Sequence, residues 1–180
     1  IGRALTTRLS TSGWNVHAVV RRSAGPIPGV AQVVEADVAD SFAVQNAVLA
    51  IAQVVSEINF SIYAVGDILS ADCESLPSDV WRRVIDANLT GAYLTTQHSL
   101  PLLAPDAHLV FIGAMHERMR LPGLAAYVAA KAGLEAFAES LSKEQRGRRV
   151  TIVRPSAVDT PFWRKVPFRL PKNALTPEAV

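Results

Sequence analysis

Cysteine is nearly absent from this chain: Cys73 stands alone among 180 residues, so no internal disulfide can form. A lone cysteine of this kind points to a reducing, cytoplasmic setting and to a small buried or half-buried side chain, not a reactive thiol. Charge of one sign is equally scarce. Eighteen Lys and Arg against sixteen Asp and Glu leave a net charge of +2, too little to mark a nucleic-acid or membrane surface. No basic patch interleaved with aromatics is present, which sets nucleic acid aside as a partner. No run of about 18 apolar residues occurs, so no membrane-spanning helix is expected. The opening IGRALTTRLS lacks the apolar core of a signal peptide. The four histidines, His17, His98, His108 and His116, show no metal-ligand spacing, and no metal site is expected.

What is present is a pattern. Hydrophobic residues make up 49% and charged residues 19%, which suits one packed domain over residues 1–180. Short β-branched runs alternate with longer amphipathic stretches, the signature of βαβ units and a parallel sheet. The runs predict strands at 16–20, 32–35, 60–65, 108–113 and 150–154. Between them the spacing predicts helices at 3–11, 41–56, 78–103 and 123–146. Ser78 and Asp79 fit a helix cap, and Pro101 and Pro105 would close the helix that follows. Residues 161–177 hold four prolines and three aromatics without helical or strand period. Such a segment is either a lid or a plain surface connection.

Tyr127 and Lys131, in YVAAK, sit at i and i+4 of a predicted helix and project from one face. An ammonium near a phenol favours the phenolate and would lower the tyrosine pKa toward working pH. A tyrosine tuned in that way can protonate an alkoxide formed by hydride addition. The same spacing also fits the plain edge of an amphipathic helix.

Several blocks in order resemble the short-chain dehydrogenase/reductase family: VVEADVAD, WRRVIDANLTGAYLTT, LVFIG with LPGLAAY, YVAAKAGLEAF and RPSAVDTPF. The resemblance spans essentially the whole chain. It implies a doubly wound, parallel Rossmann-type sheet in three α/β/α layers and a nicotinamide cofactor. Tyr127, Lys131 and Asn88 would be the catalytic set. Asp37 and Val38 would flank the adenine, and Gly66 would let the backbone approach a ribose. Val158 and Thr160 would hold the carboxamide of nicotinamide. Gly2 matches the last glycine of the family's phosphate loop, so the first strand would precede residue 1 and the C-terminal end would also lie outside the chain. The family commonly assembles as dimers or tetramers through two long helices, here 78–103 and 123–146, with small residues such as Ala129, Ala130, Gly133 and Ala138 allowing close approach.

Cofactor choice is read after the strand ending at Val20. An acid there would hold the ribose 2′-hydroxyl of NAD. Here Val20 is followed by Arg21 and Arg22, whose guanidinium groups suit a 2′-phosphate, so NADP(H) is favoured over NAD(H).

The sequence also departs from the family. Ala114 occupies the usual place of the catalytic serine, thirteen residues before Tyr127, and no Ser or Thr occurs between Ile112 and Tyr127. The dihydropteridine reductase branch is locally similar: it too has Gly-Ala here (Gly113-Ala114), keeps Tyr and Lys, and reads D-T-P then R-K (Asp159-Thr160-Pro161, Arg164-Lys165). Tyr63 and Ala64 replace two asparagines that tie that strand to its neighbours, and Ser156 replaces a glycine. His116, two residues past Ala114, is expected at the surface, with a substitute donor as its functional alternative. Phe162 and Trp163 fit either a pocket wall or plain packing. The expectation is a small-molecule enzyme: an NADPH-dependent reductase of a small carbonyl or activated conjugated compound. The alternatives are a dihydropteridine-reductase-like enzyme and a catalytically silent cofactor-binding member.

Overall fold

A computed structural model describes residues 1–22 and 27–180; the run Gly25-Pro26-Ile27-Pro28-Gly29, whose glycines and prolines read as a turn-rich loop, falls partly outside the described residues. The chain opens with α1 (Gly2–Thr11) and proceeds through β1 (Val16–Val20), β2 (Val30–Glu35) and α2 (Ser41–Ala52). Then come β3 (Ile58–Tyr63), α3 (Ser78–Ile85), a π-helical turn (Asp86–Thr90), α4 (Gly91–Ser99), β4 (Leu103–Ile112), α5 (Ala125–Glu144) and β5 (Arg149–Val153). All five strands expected from the sequence form. They pair in parallel, as β1-β2 and as β3-β4-β5. In the larger sheet Phe60 faces His108 and Phe111 faces Ile152 across the two ladders.

The apolar strands are covered because helices supply small and branched side chains. Leu109 and Phe111 of β4 pack with Leu134, Ala138 and Leu141 of α5 and with Tyr63. A second cluster joins Ile68, Val84, Leu124, Ala126 and Tyr127. Asp40 caps α2, its carboxylate accepting from the backbone N–H of Phe42 and Ala43 at 2.9 and 3.2 Å.

The structure corrects several boundaries. Residues 78–103 are not one helix. The run is broken by the π turn and closes in a 3-10 turn over Leu100–Leu102, and Leu103 already begins β4. Arg148 holds that reversal: its guanidinium donates to the carbonyls of Leu103 at 2.8 Å, Ala104 at 3.0 Å and Leu100 at 3.3 Å. Pro105 therefore lies inside β4. Ser78 is the first helical residue and makes no cap bond; Pro77 is the N-cap. The helix expected to Ser56 stops at Ala52. Beyond β5, 3-10 turns form at Pro161–Lys165 and Pro177–Ala179, and Val158 bridges Leu175 in parallel. Cys73 is exposed, not buried, because its loop packs little around it. Among the described residues no helix is long and apolar enough to cross a membrane.

Candidate active site

Ligand sites in parallel α/β sheets form beyond the carboxyl ends of the strands, and the cavity here does so. It measures about 700 Å³ and is walled by residues after β3 (Ala64 to Asp67), after β4 (Gly113 to Met115) and after β5 (Pro155 to Val158). Gly2, Gly66, Asn88, Ala114, Tyr127, Lys131, Val158 and Thr160 all line it. Arg21, Arg22, Asp37 and Val38 do not. Both arginines and Asp37 are exposed, and the Asp37 carboxylate accepts from the backbone N–H of Ala39 at 3.0 Å.

Tyr127 and Lys131 occupy the start of α5, 6% and 4% exposed. The Lys131 ammonium lies 5.9 Å from the Tyr127 ring centre and donates to the Ile112 carbonyl at 2.9 Å, which pins it to the end of β4. Burial acts oppositely on the two groups. It pushes the Tyr127 hydroxyl above the ordinary phenol range and brings Lys131 down to about 8. The expected lowering of the tyrosine is therefore not found: desolvation outweighs the neighbouring ammonium. Phe162 meets the Tyr127 ring edge to face at 5.4 Å.

Asn88 is fully buried and lies in the π turn. Its amide nitrogen donates to the Asp67 carbonyl at 2.6 Å and the Val84 carbonyl at 2.8 Å, while Oδ1 has no partner. Gly66 faces that oxygen: a Cβ there would come within 2.9 Å of Asn88 Oδ1 and 3.6 Å of Lys131 Nζ. A glycine-lined cradle, an unpaired buried acceptor and an ammonium with donors to spare fit a ribose and its hydroxyls. The residues present therefore suit a nicotinamide nucleotide.

His116 is neither at the surface nor on the cavity wall. It is 9% exposed and bonds Glu135 at 2.9 Å. Arg154 pairs with Glu117 and with Glu135 at 3.5 Å, and reaches the Ala114 carbonyl. Candidate ligand atoms of His116, Glu117 and Glu135 lie within 4.8 Å of one another. The Arg154 guanidinium meets both carboxylates and offsets one of their two charges. The network holds the Ala114 loop against α5.

Two features escaped the sequence. Asp67, beside Gly66, carries the carbonyl that fixes Asn88, and its carboxylate pairs with Arg83 at 3.3 Å and with Lys165. Tyr63 donates its hydroxyl to the Ala87 carbonyl at 2.9 Å and so replaces the expected asparagine tie. The only local signal was an unusual residue in a familiar motif.

Comparison with known proteins shows the family and agrees with the fold. The family model for short chain dehydrogenase matches residues 1–169. The 3-oxoacyl-[acyl-carrier-protein] reductase MabA of Mycobacterium tuberculosis is 32% identical over 97% of this chain and 72% of its own length. The 3beta-hydroxysteroid dehydrogenase 1 of Eggerthella lenta is 28% identical over 90% of the chain and 68% of its own. Among solved structures, the aldohexose dehydrogenase of Thermoplasma acidophilum superposes with a TM-score of 0.85 at 25% identity, covering 91% of this chain. The chain spans 65% of that enzyme.

Proposed function

Since this chain belongs to the short chain dehydrogenase family, whose members are NAD(P)-dependent oxidoreductases, we propose that it is an NADPH-dependent reductase of carbonyl compounds with an apolar body. The observation that carries this reading is the burial of Tyr127, Lys131 and Asn88 around one cavity. A bound nicotinamide would supply the hydride that reduces the carbonyl carbon. Tyr127, held neutral by burial, donates its proton to the carbonyl oxygen as the alcohol forms. Lys131 retains two donors beyond its bond to Ile112, and at neutral pH it is charged. Those donors suit ribose hydroxyls and a water chain ending at Asn88 Oδ1, from which Tyr127 recovers its proton. Gly2 and Gly66 leave backbone room for the nucleotide, Val158 and Thr160 serve the carboxamide, and Asp37 and Val38 serve the adenine. Arg21 and Arg22, exposed after β1, are free to meet a 2′-phosphate, which favours NADP(H).

Ala114 offers no hydroxyl to the substrate oxygen. A lost donor of that kind costs roughly 2–4 kcal/mol of transition-state stabilisation, so the site suits a carbonyl that is already polarised or conjugated. Met115, Met119, Leu121, Phe162, Trp163 and Phe168 give the wall an apolar stretch, with Arg118, Lys165 and Arg169 also lining the cavity. The names of the mycobacterial and Eggerthella relatives share an oxygen function on an apolar frame.

We read residues 1–180 as one cofactor-binding and catalytic unit that works in the cytoplasm as a homodimer or homotetramer. Trp81 on α3 and Tyr93 on α4 keep 40% and 45% of their surface exposed, and Ala129 and Ala136 face outward on α5. Ala130 and Ala138 serve the chain's own core instead, and Gly133 lies against Leu89.

The test is oxidation of NADPH and of NADH by the full chain against aldehydes, ketones, conjugated enones, quinones and quinonoid dihydropterin, with Ala114→Ser alongside. Turnover preferring NADPH, with plain ketones gaining most from Ala114→Ser, is the expected result. Tight NADPH binding without turnover on any substrate would sink the reading and leave a silent binding protein.

A further inference from the structure

Tyr63 ends β3 and is 4% exposed, with its hydroxyl on the Ala87 carbonyl. That carbonyl lies in the π turn, where the Gly91 N–H reaches back to Asp86. In a regular α-helix Gly91 would bond Ala87 instead. The widened turn thus takes from Ala87 its usual partner, and the phenol supplies a donor at that point. Gly91 makes room for it: a Cβ there would press on the Tyr63 hydroxyl and come within 2.7 Å of Val38 Cγ2. The segment that carries Asn88 is therefore gripped twice from the β3 side. Tyr63 holds the backbone one residue before Asn88, and the Asp67 carbonyl holds the Asn88 amide.

We infer that Tyr63 is a positioning residue for Asn88: its hydroxyl fixes the π turn so that Asn88 Oδ1 points at the Gly66 face beside Lys131. The inference rests on the reductase reading only for what Asn88 then does. Burial, with the Asp37 carboxylate next in effect, pushes the Tyr63 hydroxyl far above the ordinary phenol range, so it remains a donor throughout the working pH. A shifted turn would carry the unpaired oxygen away from the cradle without removing any group that touches substrate.

The experiment compares the full chain with Tyr63→Phe, which keeps the ring and deletes only the hydroxyl. Hydrogen exchange of the Asn88 side-chain amide, followed by NMR and assigned through Asn88→Asp, should quicken about tenfold, as for one lost hydrogen bond. With NADPH and the best carbonyl substrate, kcat should fall about tenfold while both KM values stay within about twofold. The pH dependence of kcat should also shift, which a loss of folded protein alone would not produce. Gly91→Ala, which crowds the same hydroxyl, should quicken the same exchange. Unchanged Asn88 exchange in either variant overturns the inference, even where the melting temperature falls, because the hydroxyl then supports only the fold. Absence of turnover in every form overturns the reductase reading instead, and the exchange comparison still decides whether Tyr63 places Asn88.

Discussion

The two sheets differ in how far the described residues cover them. Around β3, β4 and β5, side chains such as Leu109, Phe111 and Leu134 are almost fully buried, and both packed clusters of the described residues lie there. Around β1 and β2 the packing thins. α1 buries no residue, β1 buries only Ala18, and β2 buries none. Proton transfer needs a phenol, an ammonium and an amide fixed in a dry wall, and such precision comes from close packing. Under the proposed reading the choice of nucleotide rests on exposed guanidinium groups, and Arg21 and Arg22 stand on the less covered half. On that reading, cofactor preference is separable from the wall that holds Tyr127, Lys131 and Asn88.

The sharpest test of that division is Tyr127→Phe. Loss of the proton donor should cut turnover by about 10²–10⁴-fold with NADPH binding retained, measured by steady-state kinetics and fluorescence titration. A comparable loss of binding would mean that the wall and the nucleotide site are not separable. Next in size, Leu134→Ala should destabilise the chain by about 2–5 kcal/mol, while Leu5→Ala on α1 should stay below that range. Denaturant melts of the two variants decide it, and equal losses would break the comparison. Replacing Arg21 and Arg22 together by alanine should raise KM for NADPH about tenfold and leave NADH unchanged, as expected for lost charge-assisted bonds to a phosphate. Equal effects on both nucleotides would remove the arginines from cofactor choice.

The smallest effect is a dependence on pH. Burial brings Lys131 down to about 8 in the folded chain. Between pH 8 and the ordinary lysine range, the unfolded chain therefore holds a proton that the folded one has released. Stability gains with pH across that window from this group, by up to one proton's linkage, and the gain is absent below it. Above about pH 10 the raised tyrosines act in the other direction, since the unfolded chain loses phenol protons first. Lys131→Met should flatten the rise between pH 8 and 10 in denaturant melts; an unchanged slope would place the lysine in water.

Much of this was legible in the sequence, for identifiable reasons. The strands announced themselves because apolar β-branched runs have few other uses, and YVAAK placed Tyr127 and Lys131 on one helix face because i and i+4 leave no freedom. What failed to show was set by contacts between distant residues. Nothing local in 78–103 reveals that Arg148 bends the chain into β4 at Leu103. His116 reads as a loop histidine until Glu135 and Arg154 are seen beside it. The Tyr127 shift was expected downward from its lysine alone, yet the sign is decided by how much protein surrounds both.

The notch at Gly91 has a consequence for descent. A methyl group at 91 presses on the Tyr63 hydroxyl, so alanine at 91 and tyrosine at 63 fit together only when one of them shifts. A lineage that gains the phenol at 63 is therefore expected to carry glycine at 91 first, or to gain it at the same time. With Tyr63 in place, alanine at 91 meets the hydroxyl and Val38 at once, so the reverse step carries a cost. Two sites far apart in the chain are thus tied in what they can become, and relatives that keep tyrosine at the end of this strand are expected to keep glycine at the mouth of the next helix.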